Sequence, residues 1–106
     1  MLNQIVLVGR LVNQPKLEKD EREKESVKIT LAVPRSYKNT EGIYETDFVP
    51  CILSNGLVSN SLEYLNQGDL IGVKGTVKSD HNGIKIQVEK LTFLSLKTKE
   101  NNEIER

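Results

Sequence analysis

An all-β barrel of five strands, with one short α-helix between the third and fourth, is the fold class that this sequence predicts. Three observations carry it. Apolar residues alternate at period two in several runs separated by turn residues, a single segment switches to helical spacing, and that segment follows the third run. A chain of 106 residues is long enough for one compact domain and too short for two ordinary ones.

Residues 4–12, QIVLVGRLV, are apolar and β-branched around one glycine, which predicts a first strand buried on much of both faces. The NQP that follows breaks it. Residues 16–28 then set Lys16, Lys19, Arg22, Lys24 and Lys28 against Glu18, Asp20, Glu21, Glu23 and Glu25. This self-neutralising balance produces no net field and predicts a solvated connection, a frayed hairpin being the other reading. SVKITLAV (26–33) alternates cleanly, with Val27, Ile29, Leu31 and Val33 on one face, and Pro34 ends or bends it. NTEGIY holds a turn, and TDFVPCIL (46–53) resumes as the third strand.

In NGLVSNSLEYLNQG (55–68) the period changes. Leu57, Val58, Ser61, Leu62 and Leu65 fall at helical spacing, with Gly68 as the stop. DLIGVKGTVKS (69–79) is the fourth strand, with Ile71, Val73 and Val77 inward. DHNG (80–83) is a turn, and the fifth strand begins at Ile84, with Ile84, Ile86 and Val88 inward. This order is the layout of an OB-fold Greek-key barrel, whose bends suit Gly9, Gly72 and Gly75. Residues 1–95 form the expected domain, and 96–106 an expected disordered polar tail.

Lys plus Arg and Asp plus Glu both total 15, so the net charge is zero. That argues against coating of nucleic acid by bulk electrostatics and leaves room for a local basic stripe. The single cysteine, Cys51, lies in an apolar strand and reads as a buried thiol. No apolar run approaches membrane-spanning length, the start does not have a signal-peptide layout, and a cytoplasmic protein is expected. The single histidine, His81, falls in a polar turn, and Glu45 and Asp47 have no partner that spacing identifies. With no metal-ligand spacing and no phosphate-cradling loop, an enzyme, a metal and a cofactor are not expected.

Binding remains. OB barrels bind single strands by stacking bases on aromatic rings while Lys and Arg track phosphates. Phe48 shares a face with Pro50, Ile52 and Ser54, and Val49, Cys51 and Leu53 share the other. Both faces are largely apolar, so alternation leaves Phe48 either outside or in the core. Strict alternation from Val33 points Tyr37 inward, whereas a bend at Pro34 reverses it, and Arg35 and Lys38 flank it.

NQIVLVGRLVNQP, ITLAVPRSYKNTEGIYETDFVPCIL and SNSLEYLNQGDLIGVKGTV, in this order and spacing, resemble bacterial single-stranded DNA-binding proteins over residues 1 to about 95. The resemblance implies an OB-fold, a homo-oligomer (tetramer or dimer), and sequence-independent binding of single-stranded DNA in replication, recombination or repair. It also implies nucleoid association and contacts with replication or recombination proteins. It assigns Tyr37 and Phe48 to stacking, assigns Arg10, Arg35, Lys38, Lys74, Lys78 and Lys85 to DNA contact, and implies that Tyr64 packs in the core. The chain departs from the pattern at Pro50, at Ser54 where a third aromatic is usual, and in the shortened SDHNG hairpin. The glycine- and proline-rich tail with an acidic tip is expected to be absent. Two rival readings accompany this one: an accessory OB protein of the primosomal protein N type, and a protein-interaction module with little DNA binding.

Overall fold

Closing a small barrel requires strands that bend hard, and two glycines lie where only hydrogen fits. A Cβ on Gly9 would sit 2.6 Å from the Ala32 carbonyl oxygen, and one on Gly75 would run into the Gln87 carbonyl. Gly72 has no such neighbour; its nearest contacts would be ordinary ones at 3.8 Å. The barrel therefore depends on Gly9 and Gly75, and Gly72 is not needed for closure.

The computed structural model describes residues 1–95. Its elements are β1 (Ile5–Leu11), β2 (Lys16–Lys19), β3 (Glu25–Lys38), β4 (Tyr44–Ser54), α1 (Gly56–Tyr64), β5 (Leu70–Asp80) and β6 (Gly83–Ser95). Strands neighbour in the order β1–β5–β6–β4–β3, and a further β1–β3 pairing closes the ring. All pairings are antiparallel except β4 with β6, which run parallel at Cys51–Ile86 and Ile52–Gln87. Five strands closed in this order, with α1 between β4 and β5, form the expected OB barrel. The expected tail, 96–106, lies outside the described residues.

The core is built from the alternating positions. Val27, Ile29 and Leu31 of β3 meet Cys51 and Leu53 of β4, Ile71 and Val73 of β5, and Ile86 and Val88 of β6. Val58 and Leu65 close one end. Burying such aliphatic side chains is worth about 1.5–3 kcal/mol each and is the main drive to this fold.

Five expectations about the elements are corrected. β1 buries one face only, for Val6 and Val8 are exposed. The charged segment is not a loop throughout. Lys16–Lys19 pair with Glu25–Lys28 as an exposed edge hairpin, because backbone pairing requires no apolar face. Its turn is fastened by Asp20, whose Oδ1 accepts the Arg22 and Lys24 amides at 2.8 and 2.9 Å. Pro34 does not end β3, which runs on to Lys38 through a register shift, so β3 and β4 project as an arm. The helix stops at Tyr64, where Leu65 turns extended, rather than at Gly68. Val77 and Ile84, expected inward, are exposed because β5 and β6 also run past the barrel as a hairpin.

Candidate nucleic-acid interface

The alternation of β4 organises the surface. On its inner side Val49 is half-buried and Cys51 and Leu53 are buried. Phe48 therefore points outward, and it is 64% exposed. The register sets Phe48 beside Ala32 of β3, and Ala32 beside Arg10 of β1. Arg10, Ala32 and Phe48 thus form one row across three strands on the outer face. Arg10 Nη1 donates to the Gly68 carbonyl at 3.1 Å, which leaves the rest of the guanidinium open to a ligand.

Farther out, the same alternation separates charge by face. Glu45 and Asp47 lie opposite the Phe48 side, and both bind Arg35. Arg35 Nε and Nη2 donate to the two Asp47 oxygens at 3.0 and 2.8 Å, and Nη1 donates to Glu45 Oε1 at 2.7 Å. Hydrogen bonding to Arg35 lowers the Asp47 carboxyl below its ordinary value, and the pairing raises the guanidinium further above its own. Lys38 and Tyr44 pair across the arm, with the Lys38 ammonium 5.6 Å from the Tyr44 ring centre. Tyr37, 62% exposed, stands close enough to Arg35 to act on it electrostatically.

Between the barrel and the β5–β6 turn runs a groove of about 170 Å³ lined by Lys28, Thr30, Pro50, Ile52, Ile84 and Lys85. Lys85 donates to Asp80 there, and that hydrogen bond, helped by the Asn82 amide, lowers the Asp80 carboxyl. A wider cleft of about 660 Å³ lies at the far end of β4, between Lys24 and Lys78. Its wall includes Ser54, whose Oγ accepts the Gln87 amide at 3.2 Å. Among the described residues, no group of three or more His, Cys, Asp or Glu side chains could hold a metal ion.

The sequence pattern of the single-strand binding protein family matches residues 2–94. The chain belongs to this family. It is 36% identical over 92 residues to single-stranded DNA-binding protein B of Bacillus subtilis (strain 168), covering 83% of this chain and 81% of that one. It is 38% identical over 79 residues to a single-stranded DNA-binding protein of Halalkalibacterium halodurans, covering 74% of this chain and 47% of the relative. The chain thus spans about half the length of several curated relatives that it matches. A deletion mutant of the Thermus aquaticus single-stranded DNA binding protein superimposes with a TM-score of 0.70 at 26% identity, covering 88% of this chain and 41% of that one. The Plasmodium falciparum SSB in complex with ssDNA does so with a TM-score of 0.78 at 21% identity, over 90% and 96% of the two chains, a likeness of fold.

Not every residue expected from the sequence to contact DNA reaches one surface. Arg10 and Phe48 share a row, and Lys38, Arg35 and Tyr37 sit on the arm. Lys78 and Lys85 sit on the β5–β6 hairpin, cross-strand from each other. Lys74 stands apart: it pairs with Val6 and Lys90 and lines an apolar hollow with Val8 and Leu94. Tyr64, expected in the core, is 52% exposed and meets Phe93 edge-on with ring centres 6.4 Å apart. As the last helical residue it lies beyond Val58 and Ser61, the buried residues of the helix, and the chain turns extended at Leu65 immediately after it. Tyr44, exposed on the arm beside Lys38, was not singled out because NTEGIY (39–44) read as a turn. Its signal was even spacing from Phe48, visible only once β4 is known to begin at Tyr44.

Proposed function

We propose that this chain binds single-stranded DNA without sequence preference, in replication, recombination or repair, and that it does so as a homo-oligomer in the cytoplasm, associated with the nucleoid. The observation that carries the reading is Phe48, a large ring left mostly in water on the outer face of an OB barrel, in a row with Arg10. An exposed Phe there costs solvation unless a flat ligand covers it, and a base is such a ligand. Tyr37 is the second stacking ring, and Arg10, Lys38 and Lys78 take phosphates. Arg35 and Lys85 reach phosphate only by releasing Asp47, Glu45 and Asp80. The role is binding rather than catalysis. Self-association draws on the exposed stripe of Val6, Val8 and Leu94, beside which Lys74 lies.

Titration of labelled oligo-dT by fluorescence anisotropy at low and moderate salt tests this. Binding that weakens with salt, and that Phe48→Ala or Tyr37→Ala reduces, is the expected result. No binding at low salt refutes it.

A further inference from the structure

On β4, Tyr44, Thr46 and Phe48 occupy alternate positions of an unbroken strand, so they share one face. Tyr44 and Phe48 are therefore about 13 Å apart along the strand, at about 3.3 Å per residue. Both rings stand in water, Tyr44 being 56% exposed. Neither is explained by packing, because neither belongs to the core or to the layer packed on it.

The charges beside the rings are sorted as well. The carboxylates of this stretch, Glu45 and Asp47, are on the opposite face and are drawn to Arg35. The face carrying Tyr44 and Phe48 holds cations instead, one at the Tyr44 ring and one two strands from Phe48. Lys38 lies over Tyr44, and Arg10 lies in the Phe48 row. A polyanion following β4 on this side meets ring and cation twice and no carboxylate of the strand.

We propose that Tyr44 is a base-stacking residue of this chain, and that with Lys38 it extends the strand-binding track from Phe48 onto the β3–β4 arm. The inference rests on the reading of the chain as a single-stranded DNA binder and adds a contact to it. Lys38 covers one side of the Tyr44 ring, leaving the other for a base, and its ammonium is placed to meet the flanking phosphate.

Oligo-dT titration of the full chain and of Tyr44→Ala, Tyr44→Phe and Phe48→Ala tests the proposal. Tyr44→Ala loses about fivefold or more in affinity, the lower end expected for one stacked base. Tyr44→Phe binds as the parent does, and the thermal midpoint of all three variants stays where it was, since the rings are exposed. Photocrosslinking of 5-iodouracil-substituted oligo-dT to the parent chain attaches DNA to the Tyr44 peptide, which a structural role would not produce. Unchanged affinity in Tyr44→Ala alongside a loss in Phe48→Ala overturns this inference and leaves the general reading standing. An equal loss in Tyr44→Phe assigns the effect to the hydroxyl and also overturns it. A parent chain that binds no oligo-dT at low salt removes both.

Discussion

The salt dependence of DNA binding separates cations that are free from cations already neutralised within the protein. The resemblance read from the sequence nominates Arg10, Arg35, Lys38, Lys74, Lys78 and Lys85. If all of them replaced counterions on single-stranded DNA, log K would fall against log salt with a slope of about −4, at roughly 0.7 per contact. The structure removes Arg35 and Lys85, which are ion-paired, and Lys74, which lies beside Val6 on another face. Arg10, Lys38 and Lys78 remain and set a slope of about −2. Raising salt from about 50 to about 200 mM then weakens binding roughly 20-fold, against roughly 300-fold for the full set. Oligo-dT titrations at four or five salt concentrations measure the slope directly. A value steeper than about −3.5 would refute the view that internal carboxylates hold Arg35 and Lys85 out of the phosphate contacts.

Freeing Arg35 by the double substitution Glu45→Gln and Asp47→Asn steepens that slope by about 0.7, read in the same titration. Gly75→Ala lowers stability by about 1–3 kcal/mol or more in thermal or urea unfolding, because a Cβ there meets backbone that cannot turn aside. Gly72→Ala, with nothing closer than 3.8 Å, shows little change in the same assay. Burial pushes the Cys51 thiol up to about 12, so Ellman's reagent at about pH 8 leaves the native chain unmodified and reacts on unfolding. The same shift makes the folded state lose stability as pH rises from the ordinary thiol value toward 12, since only the unfolded chain then deprotonates freely. Asp47 shifts the other way. Its contact with Arg35 is complete at neutral pH and is lost only as pH falls through a carboxyl value below 3.8, which carboxyl NMR titration follows.

Where one face of a strand is buried, period two made the barrel readable from sequence. β3 and β4 kept the inward sets Val27, Ile29, Leu31 and Cys51, Leu53 because each inward residue gains from leaving water. The pattern loses meaning where strands leave the barrel. Val77 and Ile84 fit the inward alternation, yet on a projecting hairpin neither face has a core to enter. β2 was left open between a solvated connection and a hairpin for the related reason that an edge strand can form from mostly charged residues. The side of Phe48 was undecidable locally, because Val49, Cys51 and Leu53 compete with Phe48, Pro50 and Ile52 on apolarity. Packing decides it, since the barrel interior accepts only the set that meets Ile86 across the parallel β4–β6 pairing. The Arg35 clamp was invisible to spacing, because Arg35 and Asp47 are brought together only by the antiparallel register.

The outer face of β4 changes chemistry along its length, and this gives the proposed DNA track a direction. Tyr44 and Phe48 offer flat rings at the arm end. Six residues on from Phe48, about 20 Å along the strand, Ser54 offers only a hydroxyl. That hydroxyl accepts the Gln87 amide, which also leans on the Ile52 carbonyl, so the polar group that stands where the family usually has an aromatic is already satisfied. A small hydroxyl engaged with Gln87 offers no flat surface on which a base could stack. The neighbouring cleft supplies Lys78, whose long stem and compact charge suit phosphate rather than a flat ring. The proposed track therefore holds bases along Tyr44 to Phe48 and the backbone alone at the cleft. On this account the binding energy is concentrated in the stretch of β4 that runs from Tyr44 on the arm to Phe48 on the outer face of the barrel.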